Sequence, residues 1–196
     1  LLEAQEFKMR NVFFSLSQSH VNALRGFYFD SIVNIDDECF ICTSNIIKDS
    51  YWNYAFFSDT KEITDELLDK IELSMSQSQR APALLLDNVD NKTKEVLSKR
   101  GYELYAGDQW MYCNQTDGTA GLISDELVIK EVESDNYIEE ATLIFNDAYT
   151  SPSDDGEGYV GLPQEYVHAF VRGLKNSKLF NSKHFIGYVD QQPVAI

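Results

Sequence analysis

The chain has 196 residues, a mass of 22.4 kDa and a formal net charge of −16, with 32 acidic against 16 basic side chains. This length suits one or two small domains, and the 43% hydrophobic and 13% aromatic content suits a packed core. The charge argues against a nucleic-acid binder and against an anionic membrane surface, because both partners need clustered Lys and Arg. Cationic or amine-bearing partners are compatible with it, and so is a simple role of the acidity in solubility.

The compartment follows from what the sequence lacks. The sequence contains no stretch of about 18 apolar residues, so no transmembrane helix is predicted. The N-terminus also lacks the pattern of a signal peptide, in which a basic segment precedes an apolar one. The three cysteines, Cys39, Cys42 and Cys113, are too few for a disulfide framework and suit a reducing compartment. We therefore expect a cytoplasmic protein.

The first 113 residues are predicted to alternate between helices and aromatic-rich strands. A helix is expected at about residues 19–30, on the spacing of Val21, Leu24 and Tyr28. Residues 38–43 and 51–58 predict strands, and residues 83–86 a short buried strand. Residues 62–79 and 92–100 predict helices, the first capped by Thr60 or Thr64 and the second ended by Gly101. Two strands, or one bent strand, are expected at residues 102–113.

A small, polar stretch at residues 114–126 is interpreted as a linker between two units. The second unit then predicts a strand at residues 127–132, a helix at 135–149 and a further helix opened by Pro163. Residues 185–190 and 193–196 predict a hairpin around Gln191 and Gln192. Because the sequence stops at Ile196 inside an apolar strand, we expect this unit to be only part of a domain.

Isolated reactive side chains give no pattern of a catalytic or metal centre. Cys39 and Cys42 form a CxxC, but the thiols of a strand at this spacing point to opposite faces, so we interpret both as structural. The three histidines have no metal-ligand spacing. Trp52 and Trp110 are expected to pack in the core or between domains. We predict no catalytic, cofactor-binding or metal-binding residue in this chain.

The end of the sequence carries a family resemblance. Residues 185–196 (FIGYVDQQPVAI) resemble the F-(I/V)-(A/G)-x-x-D-x-x-P-V-(A/G) hairpin of the GNAT N-acetyltransferase superfamily. In that family a strand and a Q/R-x-x-G-x-G/A loop follow, and backbone amides at a helix N-terminus hold the pyrophosphate of acetyl-CoA. The resemblance implies that this loop would come after Ile196. Acetyl-CoA is therefore expected as a cofactor of a longer parent protein and is not expected to bind this chain.

The first segment resembles the other half of the same fold. Residues 51–58, 62–79 and 83–86 would be the central strand, its long helix and the following strand, and residues 94–102 (KEVLSKRGY) resemble the family's A-x-x-L-Y-x-x-x-G-F/Y signature. Two departures stand out. Residues 59–64 contain no glycine and carry Asp59 and Glu62, which would repel a pyrophosphate. Leu97 occupies the place of the family's general-acid tyrosine, and it has no proton to give.

The resemblance thus implies a mixed α+β, GNAT-like fold in two pieces. Residues 1–113 would form a degenerate, non-catalytic domain, and residues 127–196 the N-terminal half of an acetyltransferase domain. The connection between the first two helices lies over the acceptor site in GNAT proteins. The resemblance therefore assigns substrate binding to the acidic loop at residues 150–162 and the helix end before it, at Asp147, Tyr149, Asp154, Asp155, Glu157 and Tyr159. A solvated loop without a ligand is the alternative.

Two functions of different classes stay open. The first is transfer of an acetyl group from acetyl-CoA to a small-molecule or peptide amine by the parent protein, with this chain inactive; such chemistry rests on positioning and on stabilising an oxyanion. The second is a non-catalytic module that recognises a basic peptide, a polyamine or a protein, with self-association through the open strand at residues 193–196. A third interpretation is one continuous domain whose single sheet runs through both segments.

Overall fold

The computed structural model describes residues 2–58, 61–86, 89–104, 126–149, 161–179 and 182–196. These residues have a mixed α+β fold, with a four-stranded mixed sheet, a three-stranded antiparallel sheet and five α-helices. Because the described strands form two sheets, the interpretation as a single sheet through both segments is wrong. The predicted linker up to residue 125 lies outside the described residues. The same is true of most of the strand region predicted at residues 102–113, and its described part, residues 102–104, is not in a strand. No helix among the described residues has the length and apolar content needed to span a bilayer.

The elements follow in an order close to the predicted one. The helices are α1 (Leu2–Ala23), α2 (Asp65–Gln77), α3 (Asn91–Lys99), α4 (Asp135–Asp147) and α5 (Gln164–Lys175). The strands are β1 (Ser31–Asp36), β2 (Cys39–Thr43), β3 (Tyr54–Phe57), β4 (Leu84–Leu85), β5 (Leu127–Glu131), β6 (Phe185–Val189) and β7 (Gln192–Ala195). The side chains of Thr64, Asp90 and Ser134 accept a backbone N–H bond at the starts of α2, α3 and α4. The helices expected near residues 62–79, 92–100 and 135–149, and the one after Pro163, are thereby confirmed.

The first sheet has the strand order β1-β2-β3-β4, and its two central strands, β2 and β3, are buried on both faces. The first three strands are antiparallel, and α2 then crosses over so that β4 runs parallel to β3. On one face Phe40, Cys42 and Phe56 pack with Phe14 and Val21 of α1. The other face packs against α2, through the side chains of Cys39, Ile41, Ala55, Phe57, Leu67, Ile71 and Met75. This double burial explains why β2 and β3 are aromatic-rich and show no alternation with polar residues.

The second sheet has the strand order β5-β6-β7, entirely antiparallel, and is less completely covered. Ile186 and Tyr188 of β6 are buried against Ala141 of α4 and Phe170 and Leu174 of α5. Apolar side chains on all three strands and at the chain end remain 47–55% exposed, namely those of Val128, Ile129, Phe185, Val194 and Ile196. Among the described residues, the helices therefore cover one side of this sheet, and they cover it incompletely.

The first predicted helix has the wrong bounds. The helix begins at Leu2 and ends at Ala23, not at Asp30, and residues 24–30 form a turn that we call the junction loop. Gly26 ends the helical path because it takes a φ of +80°, a conformation that favours glycine, and its N–H donates to the carbonyl of Phe29 at 2.7 Å. Tyr28 consequently lies on a loop and not on a helical stripe. Strand β1, which follows, was not predicted.

Two further boundaries differ from the prediction. The strand expected from Tyr51 begins only at Tyr54, because Ser50–Trp52 form a 3₁₀ turn whose start is capped by the carboxylate of Asp49. The hairpin turn lies one residue earlier than expected, at Asp190 and Gln191, which both have positive φ (50° and 63°). Those angles match a two-residue type I′ turn, whose twist suits the flanking strands.

The junction loop joins the two sheet units. The ring of Phe27 packs against Phe170 at 5.7 Å and against the ring of His184 at 4.9 Å between centroids. Gly173 of α5 makes room for it, since a Cβ there would lie 2.1 Å from Cδ2 of Phe27. Arg172 donates to the carboxylate of Asp30 at 2.6 Å and to the carbonyl of Phe27 at 2.8 Å. A loop from the first segment is thus part of the second unit's core.

Candidate functional site

Of the six predicted substrate-binding residues, the structure describes two. Asp147 is the exposed last residue of α4, and Tyr149 follows it with its side chain 41% exposed. The Tyr149 ring stands edge-on to Phe145, with 5.6 Å between centroids. The other four, Asp154, Asp155, Glu157 and Tyr159, lie outside the described residues. Their role in binding an amine stays a prediction.

Rings from distant parts of the sequence pack around Trp52. We define the aromatic cluster as Tyr28, Tyr51, Trp52 and Tyr166. Tyr28 stacks on Trp52 at 4.2 Å between centroids and an interplanar angle of 23°. Tyr51 and Tyr166 stand nearly perpendicular to Trp52, at 5.4 and 6.4 Å. The cluster therefore combines one stacked pair with two edge-on rings, a usual arrangement of aromatic side chains that attract one another.

Local structure holds the backbone of two residues of the cluster, Trp52 and Tyr166, in place. Trp52 closes the 3₁₀ turn, and the next residue, the buried Asn53, anchors that turn by donating to the carbonyls of Ile47 and Asp49 and accepting from the N–H of Ser44. Tyr166 lies in the first turn of α5, where its N–H donates to the carbonyl of Pro163 at 2.9 Å. Hydrogen bonds of the backbone thus hold two of the rings independently of any ligand.

The phenol of Tyr28 stays uncharged at ordinary pH. Burial raises its pKa to about 12, and the nearby phenols of Tyr149 and Tyr166 contribute to that rise. The indole N–H of Trp52 is buried and has no hydrogen-bond partner among the described residues. A buried N–H without an acceptor costs free energy, because the group has lost its hydrogen bond to water.

A cavity of about 320 Å³ lies between the helices and the second sheet. Its walls are apolar, with Ala141, Phe145 and Phe170 among them, and it also touches His184 and Ile196. Burial lowers the pKa of His184, whose Nε2 lies 3.2 Å from the hydroxyl of Ser182. This cavity suits an apolar group and offers one neutral imidazole.

The N-terminus of α2 is the position where the resemblance would place a phosphate. The hydroxyl of Thr64 already accepts the N–H of Leu67, and Asp65 and Glu66 follow in the first turn. Arg100 forms ion pairs with three carboxylates of α2, those of Asp65, Asp69 and Glu72, at 2.5–3.1 Å. The helix end is therefore capped by its own side chain and surrounded by carboxylates, which disfavours an anion.

The lysines beside this helix end are also engaged. Lys61 pairs with Asp36 at 2.5 Å, and Lys92 pairs with Glu62 at 2.7 Å. The Asp36 contact raises the pKa of the Lys61 ammonium, which stays charged and neutralised by its partner. Neither cation is placed to offset the acidic first turn for a phosphate ligand.

The CxxC is structural, as expected from its spacing. Cys39 packs on the α2 side of the first sheet and Cys42 on the α1 side, and both are free and buried. Burial raises the pKa of each thiol to about 12, so thiolate chemistry is suppressed. Within the described ranges, no three His, Cys, Asp or Glu side chains come together in a way that would hold a metal ion.

The sequence prediction identified only part of this arrangement. The packing role of Trp52 was predicted, whereas Tyr28, Tyr51 and Tyr166 were not assigned to any site. The one available signal was composition, since the chain has 11 tyrosines and 2 tryptophans. That signal says nothing about which of them meet.

Comparisons with known proteins give no match: no protein-family model fits the chain, and neither the curated proteins nor the solved structures include a significant relative.

Proposed function

We propose that this chain is part of a GNAT-type N-acetyltransferase, in which an acceptor amine attacks the thioester of acetyl-CoA. The observation that carries the proposal is the crossover β3–α2–β4. The resemblance implies a central strand, a long helix and a following strand, in that order. The described residues have β1 and β2 antiparallel, β3 antiparallel to β2, and β4 parallel to β3 after α2.

The second unit supports the same proposal independently. Its described order is strand, helix, helix, strand, tight turn, strand, with β6 between β5 and β7. The hairpin that carries the sequence resemblance is the β6–β7 pair. Several apolar side chains of this sheet are still exposed, which suits a sheet that is covered by further polypeptide in the complete enzyme.

The proposal includes the inability of residues 1–196 to hold acetyl-CoA. Phosphates bind at helix N-termini when backbone N–H groups are unpaired and the turn before the helix brings them close. At α2 the cap is supplied by Thr64, the first turn is acidic, and residues 58–64 include no glycine. The acetyl-CoA loop would come from the parent protein beyond these residues.

In the proposed reaction, the residues of this chain act on the acceptor and not on the cofactor. Carboxylates near the α4–α5 connection, beginning with Asp147, attract a protonated amine, and Tyr149 borders the approach to it. The attack itself needs a neutral amine next to the thioester, so the contribution of this half is to bind and orient.

A pair of titrations tests the proposal. Acetyl-CoA is titrated by calorimetry into residues 1–196 and into the longer parent protein, with transfer to an amine followed as release of free thiol. We expect no saturable heat with the short chain, and micromolar-range binding together with thiol release from the longer one. Micromolar binding by residues 1–196 would show that the account of α2 is wrong.

A second candidate function is association through β7. This strand is at the edge of its sheet among the described residues, and Val194 and Ile196 are 53% and 49% exposed. An exposed, apolar edge strand is a template for pairing with another chain. Light scattering at increasing concentration should show association that Val194→Lys abolishes, while Val33→Lys on β1 of the other sheet serves as the matched control. A clean monomer at high concentration would exclude this candidate.

A further inference from the structure

We propose that the cavity between α4, α5 and the second sheet is a binding site for an uncharged, mostly apolar small molecule that carries a hydroxyl group. The inference does not require acetyl transfer, and its test contains no acetyl-CoA. It rests on the volume of the cavity, on the chemistry of its walls and on the hydrogen bonding of His184.

The cavity has the size of a small organic molecule. Its volume is about 320 Å³, at the lower end of the usual range for ligand pockets, about 300–1,000 Å³. A cavity of about 150 Å³ with apolar walls holds one benzene molecule. A bicyclic molecule of about ten non-hydrogen atoms therefore matches this space.

The walls of the cavity disfavour charge. Eight of the described residues line it, and seven of these have apolar side chains. Two of them, Phe145 and Phe170, stack on each other at 4.1 Å between centroids with an interplanar angle of 9°. No Lys, Arg, Asp or Glu is among these lining residues, so a charged ligand would lose its hydration without gaining an ion partner. The walls therefore select an uncharged ligand with a large apolar surface.

One side of the cavity is accessible from solvent. Ala141 and Leu174, which line its inner part, are buried. Phe185 and Ile196 also line it, and each of them is about half exposed. These two residues mark the side from which a ligand enters.

His184 is the one polar side chain among the described residues that line the cavity. Its Nε2 lies 3.2 Å from the hydroxyl of Ser182, and no described residue forms a hydrogen bond with its other ring nitrogen, Nδ1. Burial lowers the pKa of this imidazole, so near pH 7 the ring is neutral, with one N–H donor and one acceptor nitrogen. A hydroxyl either donates to an acceptor nitrogen or accepts from an N–H, so it suits Nδ1 in both tautomers.

The experiment compares three probes that share one ring system: 2-naphthol, naphthalene and naphthalene-2-sulfonate. The first carries a hydroxyl and is uncharged near pH 7, as phenols are, the second lacks the hydroxyl, and the third is charged. Binding to residues 1–196 is followed by NMR titration at the methyl groups of Val132, Ala141 and Leu174, which also locates the probe. We expect saturable binding of 2-naphthol and no saturable binding of the sulfonate. Naphthalene should bind about three- to tenfold more weakly than 2-naphthol, as the loss of one hydrogen bond implies.

Variants test where the probe binds and which group it contacts. Ala141→Leu fills the cavity from α4 and should weaken 2-naphthol binding by at least about tenfold, while Ala148→Leu, at the exposed end of the same helix, should leave it within about twofold. His184→Phe keeps a ring in the wall but removes both nitrogens. It should reduce the affinity for 2-naphthol to that for naphthalene and leave naphthalene binding within about twofold. Thermal unfolding of every variant checks that it is folded.

Four results would overturn the proposal. The first three are no saturable binding of 2-naphthol, equal affinities of the unaltered chain for 2-naphthol and naphthalene, and binding that a folded Ala141→Leu variant leaves unchanged. The longer parent protein is titrated in parallel, because further polypeptide is the alternative occupant of the cavity. The fourth result is 2-naphthol binding by residues 1–196 with none by the longer protein, which would show that polypeptide fills this space.

Discussion

Replacing Gly173 by alanine should destabilise the protein although alanine is the better helix former. Gly173 lies inside α5, where alanine is favoured over glycine by about 1 kcal/mol. However, a Cβ at this position would lie 2.1, 2.2 and 2.3 Å from three atoms of the Phe27 ring. Carbon atoms in contact are normally about 3.5–4 Å apart, so the ring would have to move by more than about 1 Å.

The surroundings of Phe27 do not allow that movement. The side chain is only 7% exposed, packs against Phe170 and His184, and belongs to a loop whose carbonyl is held by Arg172. Overpacking of this kind costs about 1–3 kcal/mol, sometimes more. Taking the upper part of that range and subtracting the gain in helix preference, we expect Gly173→Ala to lower the free energy of unfolding by about 1–2 kcal/mol. For a chain of this length, each kcal/mol lost lowers Tm by about 2–4 °C.

A double-mutant cycle makes the test specific. Phe27→Ala alone should cost about 3–5 kcal/mol. In that background there is no ring to clash with, so Gly173→Ala should stabilise the protein by up to about 1 kcal/mol, and its effect reverses sign. Urea unfolding followed by circular dichroism measures all four proteins. As a control, the exposed His168 on the same helix is changed to Ala and to Gly. The difference in stability between these two variants measures the helix preference of alanine over glycine without the contact to Phe27. Equal effects of Gly173→Ala in both backgrounds would refute the contact.

Three further predictions concern single side chains. Arg172→Ala leaves the partly buried carboxylate of Asp30 and the carbonyl of Phe27 without their donor. It should lower the free energy of unfolding, measured by chemical unfolding, by about 1.5–3 kcal/mol, and Arg172→Lys should lower it less. Equal stability of the unaltered protein and the two variants would contradict the pairing. Burial lowers the pKa of His184, so as the pH falls the unfolded chain protonates this imidazole before the folded chain does. The contribution of the neutral imidazole to the free energy of unfolding is therefore complete above about pH 6.5, and it is lost as the pH falls through the lower pKa of the folded state. His184→Gln should flatten that fall, and an unchanged pH profile would argue against it. In a Cys113→Ser variant, Cys39 and Cys42 should resist a thiol reagent until the protein unfolds, and rapid labelling of the folded protein would disprove their burial.

Local signals explain which elements could be predicted from the sequence. The start of α2 at Thr64 was predicted because a capping residue precedes apolar positions at helical spacing. Gly101, with a φ of +82°, ended α3 as expected. Pro163 likewise marked the start of α5.

The bounds of α1 could not be predicted, because that helix has no clear apolar stripe. Phe14, Ser17 and Val21 are buried, but Val12 and Leu16 are 41% exposed. Its apolar residues are therefore spread around the helix, and periodicity gives no start. Strand β1 has a similarly weak pattern, since most of it is partly or fully exposed.

The aromatic cluster and the junction could not be predicted for a different reason. Tyr28, Trp52 and Tyr166 come from a loop, a 3₁₀ turn and a helix, and nothing in their spacing connects them. The same is true of Phe27 and Gly173, whose contact depends on how the two units pack. Contacts between distant segments are set by tertiary packing, which a single sequence does not encode as a local pattern.

The most direct test of the proposed function is calorimetric titration of acetyl-CoA into residues 1–196 and, in parallel, into the longer parent protein. We expect no saturable binding to residues 1–196, whose α2 start is capped and acidic, and micromolar-range binding to the longer protein. Saturable micromolar binding to residues 1–196, or none to the longer protein, would contradict it.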